Sequence, residues 1–219
     1  MEHQLRTWES FDYITWIFLV ILILLAVVKY RYPRRFQEFM LLPITNKYFL
    51  IQGKNDAILH PFNLLLFGMQ ILSVSLFIFF AIRIFQPETT VEGPLLLLQI
   101  ATLYAVFIAA KYCIEKIVGI IFSIEKQVNE YLYQKLSYRN MVALLLLIVN
   151  VLFVYLFVPS RGALIIIGGI ILLINCISLF SSYKNKRNFI FKNFFYFILY
   201  LCALEISPYV ILYHVAVYL

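Results

Sequence analysis

The chain consists of long apolar runs separated by short polar segments. Six runs are predicted to be membrane-spanning helices, at about residues 13–28, 62–84, 95–118, 141–158, 163–179 and 194–213. A helix rises about 1.5 Å per residue and a hydrocarbon core is about 30 Å thick, so the shorter runs require some local thinning of the bilayer. The pattern predicts an all-α, polytopic membrane helix bundle that forms a single domain over residues 1–219.

The third run organises the rest of the chain. It begins after Gly93-Pro94 and takes on charge from Lys111 onward without a Gly-Pro break. Apolar residues then recur every three or four positions, as they do on one face of a helix. We therefore predict that the third helix extends as an amphipathic cytoplasmic arm over residues 119–138. The apolar stripe of this arm is a candidate partner-docking surface formed by Ile124, Val128, Tyr131 and Leu132.

The segment between the first and second runs has a different character. Residues 29–35 form a dense basic patch, and residues 34–51 are about half apolar and are interrupted by Pro43. This stretch is too short and too interrupted to cross a bilayer. It is predicted to lie at the membrane surface as an interfacial segment.

Composition and charge support a bilayer as the solvent of these helices. The chain is 63% hydrophobic and 13% charged, with a mean hydropathy of +0.90, whereas soluble domains are nearer half apolar and a quarter charged. The net charge is +7, and all but three of the 18 Lys and Arg residues lie after the first or fifth run, or toward the end of the third run and after it; the exceptions are Arg6, Arg83 and Arg161. Because basic residues accumulate on the cytoplasmic side, we predict a bacterial inner-membrane protein with both termini in the periplasm. No basic face remains for nucleic acid.

Polar residues inside the runs are candidates for a site. Glu205 lies near the middle of the sixth run, three residues before Pro208, and an unpaired carboxylate at that depth costs about 3 kcal/mol or more. Four further polar residues fall at a similar depth or within about one turn of it: Gln70, Tyr104, Asn150 and Asn175. Together they predict either a midplane polar site for a small solute or for protons, or a set of interhelical hydrogen bonds. The second interpretation is the favoured one.

A charged pair is predicted in the cytoplasmic third of the third run. Lys111 and Glu115 are four residues apart and therefore share one helix face. The spacing indicates an ion pair, although Lys111 also has the length to reach the membrane interface. A structural role is favoured over a substrate site.

Motifs that carry enzyme chemistry are missing. The sequence has no H-E-x-x-H, no G-x-S-x-G and no Gly-rich phosphate loop. The histidines are far apart, at His3, His60 and His214. The cysteines lie inside apolar runs, at Cys113, Cys176 and Cys202. This distribution is typical of small apolar fillers and not of disulfides or metal ligands. We predict no catalytic residue, no metal site and no cofactor.

Two stretches of the chain, residues 112–140 and 195–208, resemble a known family. It consists of small multi-pass proteins of Bacteroidota inner membranes and is catalogued as a domain of unknown function. The resemblance implies a membrane location and draws attention to Glu205 and Pro208, but it carries no reaction. The lysine of that family near the end of the chain is replaced here by His214.

Two functional hypotheses of different class follow. The leading one is a non-enzymatic accessory or scaffold subunit of a larger envelope complex, in protein export or secretion, with other integral membrane proteins as partners. The alternative is a small-solute or proton-coupled carrier that uses the midplane polar site around Glu205. A third possibility, an enzyme acting on a lipid or isoprenoid, requires a lipid-sized cleft lined by convergent polar groups.

Overall fold

The computed structural model describes residues 12–42, 60–86, 92–121, 125–157 and 159–184. The backbone alone is described at positions 118, 126, 127 and 175–184. In these ranges the chain forms six helices and no strands: α1 (Asp12–Arg31), α2 (Pro33–Met40), α3 (Pro61–Phe85), α4 (Gly93–Ile121), α5 (Glu125–Tyr155) and α6 (Arg161–Lys184).

Four stretches within these helices are long and apolar enough to cross a membrane, namely Asp12–Arg31, Pro61–Phe85, Gly93–Ile121 and Val128–Tyr155. A shorter apolar stretch of α6 covers Arg161–Ile174. The predicted all-helical fold with long apolar helices is confirmed at this level. Six membrane-spanning helices remain a prediction, since the run at 194–213 lies outside the described residues.

Side-chain caps explain where α3 and α6 begin. The Nδ1 atom of His60 accepts a hydrogen bond from the backbone N–H of Phe62 at 3.1 Å, and Pro61 occupies the first turn of α3. The hydroxyl of Ser160 accepts a hydrogen bond from the N–H of Ala163 at 3.2 Å and caps α6 in the same way. These caps satisfy backbone donors that have no partner inside the helix.

Helix α3 lies at the centre of the described bundle and packs against α1, α4, α5 and α6. Its side chains Met69, Leu76 and Phe79 are almost completely buried. The rings of Phe80 and Phe153 meet edge to face with centroids 6.4 Å apart, so the ends of α3 and α5 lie on the same side of the bundle. The two helices therefore run parallel, as expected when each crosses from the same side.

The chain direction alternates between α1 and α3. The ring of Tyr13, at the start of α1, packs edge to face on Phe79, near the end of α3, at 6.4 Å. At the other end of the bundle the ring of Tyr32 packs on Phe62 at 6.0 Å. The end of α1, α2 and the start of α3 therefore lie at one end of the bundle.

The third predicted helix ends earlier than the sequence suggested. α4 stops at Ile121, and α5 begins at Glu125 and continues without interruption to Tyr155. Residues 125–138, which the sequence analysis placed in an arm extending from the third helix, form the first part of α5. The amphipathic arm is therefore not confirmed, and the apolar helix predicted to begin at 141 begins about thirteen residues earlier, at Val128.

Helices α4 and α5 are antiparallel neighbours, and this explains the difference. Lys135 of α5 lies 2.7 Å from the carboxylate of Glu115 on α4. Nearer the turn, a Cβ atom added at Gly119 would lie 3.0 Å from the Cβ of Val128. A missing side chain at Gly119 lets the two helices approach closely. The amphipathic pattern thus serves packing within the chain.

Candidate functional site

Polar side chains from three helices meet in the interior of the bundle. The hydroxyl oxygen of Tyr104 on α4 accepts a hydrogen bond from Nε2 of Gln70 on α3 at 2.7 Å. The same oxygen accepts a second hydrogen bond from Nη2 of Arg139 on α5 at 3.2 Å. Tyr104 therefore joins α3, α4 and α5, and we refer to Gln70, Tyr104 and Arg139 as the polar triad.

The triad retains unused hydrogen-bonding capacity. Gln70 is 1% exposed, and its Oε1 has no hydrogen-bond partner among the described residues. Asn140, next to Arg139 in the sequence, is completely buried, and neither amide atom of its side chain is bonded within the described ranges. Buried amide groups without partners cost about 1–3 kcal/mol each, so these positions mark the most polar part of the described interior.

The five residues of the predicted midplane site have different placements. The side chains of Gln70 and Tyr104 are in contact. Asn150 is completely buried and donates from Nδ2 to the backbone carbonyl of Ser73 at 2.8 Å, which is a separate contact between α5 and α3. Asn175 belongs to α6, where the backbone alone is described, and Glu205 lies outside the described residues.

A charged cluster lies closer to the α4–α5 turn. Glu115 and Lys135 form the 2.7 Å ion pair, and their side chains are only 3% and 10% exposed. The ammonium group of Lys135 also lies 5.4 Å from the ring centroid of Tyr131. Lys111, the partner that the sequence predicted for Glu115, is buried one turn earlier on α4. An exchange of both charges for apolar groups is often tolerated, but the loss of one partner leaves an uncompensated buried charge.

Sequence reasoning missed Lys135 and Arg139 because it assigned them to the polar segment between two spans. A signal was present, since Val128, Leu132, Lys135 and Arg139 recur at intervals of four, three and four residues and so share one face of a helix. Continued toward Asn150, this face of α5 makes the contacts with Glu115, with Tyr104 and with the carbonyl of Ser73. The apolar run by itself does not show that this face of α5 also includes the cations Lys135 and Arg139.

The predicted docking stripe lies on the same helix. Val128 and Leu132 are buried within the chain, Tyr131 is half-buried, and Ile124 lies outside the described residues. Val128 packs on Gly119 of α4. Both buried members are therefore not accessible to another protein, and α4 covers Val128.

The pKa of His60, at the start of α3, is clearly displaced. Burial and the nearby positive charge of Arg35 lower the pKa of His60 below its usual value of 6.5. Its ring packs edge to face against Tyr32 with centroids 5.1 Å apart. Both effects favour the neutral imidazole, whose Nδ1 lone pair caps α3.

The polar groups of this interior bond between helices and so hold the helices together. The described residues contain no group of three His, Cys, Asp or Glu side chains that could hold a metal ion. What they do contain is one carboxylate, two cations and several amides, which bond across helix boundaries at 2.7–3.2 Å. Interhelical hydrogen bonds in membranes contribute about 0.6 kcal/mol each on average and fix which faces meet.

These features define an all-helical protein with several long apolar helices of the kind that cross membranes, tied together by buried polar contacts. The chain belongs to the family described as Domain of unknown function (DUF4271), whose model matches residues 14–216. No curated protein and no solved structure matches the chain. The resemblance to a family of unknown function is thereby confirmed, and it assigns no reaction.

Proposed function

We propose that the protein is a non-enzymatic, multi-pass subunit of the bacterial inner membrane that acts as an accessory or scaffold component of a larger envelope complex. Protein export or secretion is the process in which we place it. Other integral membrane proteins are its partners, and no cofactor or nucleic acid takes part. The charge distribution of the sequence places both termini in the periplasm.

One observation supports this proposal above the others. Polar side chains of the described interior bond between helices: Tyr104 joins three helices, Glu115 binds Lys135, and Asn150 donates to the carbonyl of Ser73. Such contacts specify how helices pack and leave few convergent groups for turnover of a substrate. A rigid bundle of this kind suits a structural subunit.

The surface that meets partners has to be sought away from the predicted stripe, since Val128 and Leu132 are buried. Large apolar side chains are exposed along α1, α4 and α6, for example Leu22, Val106 and Leu172. Exposed apolar surface in a bilayer contacts either lipid or another membrane protein. The proposal therefore requires that part of this surface be occupied by protein.

The test is isolation of the native assembly followed by site-specific photo-crosslinking. The full chain, tagged and produced at its natural level, is solubilised in a mild detergent, sized and analysed for co-purifying proteins. A photoreactive amino acid is then placed at Leu22, Val106 or Leu172, each at least 60% exposed. We expect a particle larger than the monomer and a crosslink from at least one position to a co-purifying membrane protein.

Ile21 provides the matched control, because it neighbours Leu22 on α1 but is 0% exposed. A photoreactive group there should give no crosslink to another chain. A monomeric particle without stoichiometric companions, together with no protein adduct at any of the three exposed positions, would contradict the proposal.

The polar triad favours a second candidate function, a small-solute or proton-coupled carrier. Arg139 and the free Oε1 of Gln70 lie on either side of the Tyr104 hydroxyl, which gives a short chain of polar groups inside an apolar bundle. Ionisable and polar groups inside membrane segments often mark ion or proton paths. Glu205 would serve as the proton-carrying acid in this candidate function.

Proton flux into proteoliposomes that contain a pH-sensitive dye tests this candidate. Glu205→Gln and Tyr104→Phe should each abolish a flux that the wild-type chain supports, at unchanged protein abundance. Tyr155→Phe is the matched control, because Tyr155 is exposed and its hydroxyl is bonded to Thr15, away from the triad. Absence of flux in the wild type excludes a proton carrier, and loss of the Glu205→Gln protein from the membrane assigns the acid a structural role.

A further inference from the structure

Three exposed cations lie where α1 ends and α2 begins. The side chains of Lys29, Arg31 and Arg34 are exposed, and none of them makes a hydrogen bond or an ion pair within the described part of the chain. Tyr30, between the first two, is 90% exposed. Residues 29–40 contain four basic side chains and a single carboxylate, so the charge of this corner is strongly positive.

The corner is held in a fixed position. Tyr32 leaves helical geometry with φ −134° and ψ 56°, and Pro33 then starts α2. The ring of Tyr32 packs on His60 and on Phe62, with centroids 5.1 and 6.0 Å away. Near the end of α2, Phe39 is completely buried, and its ring packs on Phe62 with centroids 6.1 Å apart. These aromatic contacts of Tyr32 and Phe39 therefore hold the corner and α2 against the start of α3.

The cations continue the outer apolar surface of α1. Leu22, Ile23 and Val27 are 45–60% exposed on this helix, and Lys29 follows Leu22 by seven residues, about two turns further along the same side. In a bilayer, this order brings the cations to the level of the headgroups, just beyond the hydrocarbon. An exposed tyrosine at the same level is typical of that zone.

We propose that this corner is a binding site for the phosphate groups of anionic phospholipids in the surrounding bilayer, formed by Lys29, Arg31 and Arg34. Arginine presents a planar fork of donors that matches phosphate oxygens, and lysine adds a point charge. The position of the cations beside a lipid-exposed apolar face selects a lipid over a soluble anion, because the acyl chains can lie on α1 while the headgroup binds the corner. The exposed apolar residues Met40 and Leu41 extend that lipid contact along α2.

Lipid binding by the purified full-length chain tests the proposal. The protein in zwitterionic detergent micelles is titrated with phosphatidylglycerol or with phosphatidylcholine, and bound lipid is counted by native mass spectrometry while thermal unfolding is followed in parallel. We expect phosphatidylglycerol to be retained and to stabilise the fold, and phosphatidylcholine to do so much less. Each basic residue near an anionic surface contributes roughly a fivefold gain in affinity, so Arg31→Gln with Arg34→Gln should weaken phosphatidylglycerol binding about 25-fold.

Two variants control for unrelated effects of charge. Arg161→Gln removes an exposed arginine at the start of α6, at the opposite end of the bundle, and should leave phosphatidylglycerol binding unchanged. Arg34→Lys keeps the charge and should retain most of the affinity. The unfolding midpoint without added lipid reports whether each variant folds; should the double variant not fold, Lys29→Gln and the salt dependence of wild-type binding replace it.

The proposal fails if the double variant and the wild type bind phosphatidylglycerol alike, or if both lipids bind the wild type equally. It also fails if glycerol phosphate alone stabilises the wild type as much as the lipid does, because the site would then be one for a soluble anion. Selective retention of phosphatidylglycerol that is lost in Arg31→Gln/Arg34→Gln and kept in Arg161→Gln supports it.

Discussion

At the scale of single residues, the ion pair between Glu115 and Lys135 helps to determine how two helices pack. Their contact at 2.7 Å joins two antiparallel helices, and both side chains are almost fully withdrawn from the surface. In such an environment neither charge is solvated by water, so each depends on the other and on nearby polar groups. The pair therefore holds α5 in register with α4.

Replacement of Glu115 by Gln should destabilise the fold by about 3–5 kcal/mol, because it leaves the ammonium of Lys135 buried without its carboxylate. Thermal unfolding of the purified chain in detergent measures the loss. Glu125→Gln is the matched control, because it makes the same exchange at the exposed start of α5. It should change stability by less than about 1 kcal/mol. Equal midpoints for Glu115→Gln and the wild type would show that the pair contributes nothing.

His60 gives the described chain a dependence on pH. Its pKa is lowered in the folded state, so the unfolded chain binds a proton at higher pH than the folded chain does. Its full contribution to stability is present above the ordinary value of about 6.5 and is lost as the pH falls through the lower, folded value. Protonation also removes the Nδ1 acceptor that caps α3.

We expect the unfolding midpoint of the wild type to fall between about pH 7.5 and pH 5.5 by more than that of His60→Asn. Asparagine supplies a side-chain acceptor for the N–H of Phe62 and does not titrate in this range. The comparison between the two proteins isolates His60 from other groups that titrate over the same interval. Parallel pH profiles would contradict the role assigned to the imidazole.

At the scale of elements, α4 and α5 form a helical hairpin whose closest approach is at Gly119. The nearest atoms to a Cβ built there are the three carbons of the Val128 side chain, at 3.0–3.2 Å. Valine is stiff in a helix and cannot turn away. This contact gives the hairpin a sharply defined register.

A pair of cysteines tests that register. Gly119→Cys with Val128→Cys should form a disulfide rapidly under mild oxidation, since a Cβ separation of 3.0 Å needs only a small outward shift to reach the usual 3.5–4.5 Å. Ile120→Cys with Val128→Cys is the matched control, because Ile120 is 56% exposed and faces away. If the third helix continued as an arm, neither pair would crosslink within one chain.

The sequence was sufficient to predict the helical class, because long apolar runs have one structural meaning in a membrane. It was insufficient for the turn between α4 and α5. Residues 119–138 carry an amphipathic pattern that fits an arm lying on a surface as well as a helix folded back on its neighbour. Only contacts between distant residues, such as Glu115 with Lys135, distinguish these arrangements.

The candidate site was predicted in part for a related reason. Counting depth along each run put Gln70 and Tyr104 at one level, and their side chains are in contact in the structure. It could not find Arg139, because a cation next to an apolar run is usually assigned to the interface. In the structure the long arginine side chain reaches Tyr104 from α5, a contact that depends on how the two helices are rotated toward each other.

At the scale of the whole molecule, the described helices alternate in direction, with α2 and the ends of α1 and α4 at one end of the bundle. The start of α6 lies near the other end, six residues after Tyr155, where α5 terminates. We propose that the first end faces the cytoplasm, because basic residues accumulate on that side of membranes. A bilayer as solvent, crossed in alternating directions by these helices, is the central claim of this account.

Cysteine accessibility tests that claim most directly. With Cys113, Cys176 and Cys202 replaced, single cysteines are introduced at Arg34 on α2 and Arg161 at the start of α6, both of which are exposed. Spheroplasts are treated with a membrane-impermeant maleimide before and after permeabilisation. We expect Arg161→Cys to react in intact spheroplasts and Arg34→Cys to react only after permeabilisation, whereas equal or reversed labelling of the two positions would contradict the account.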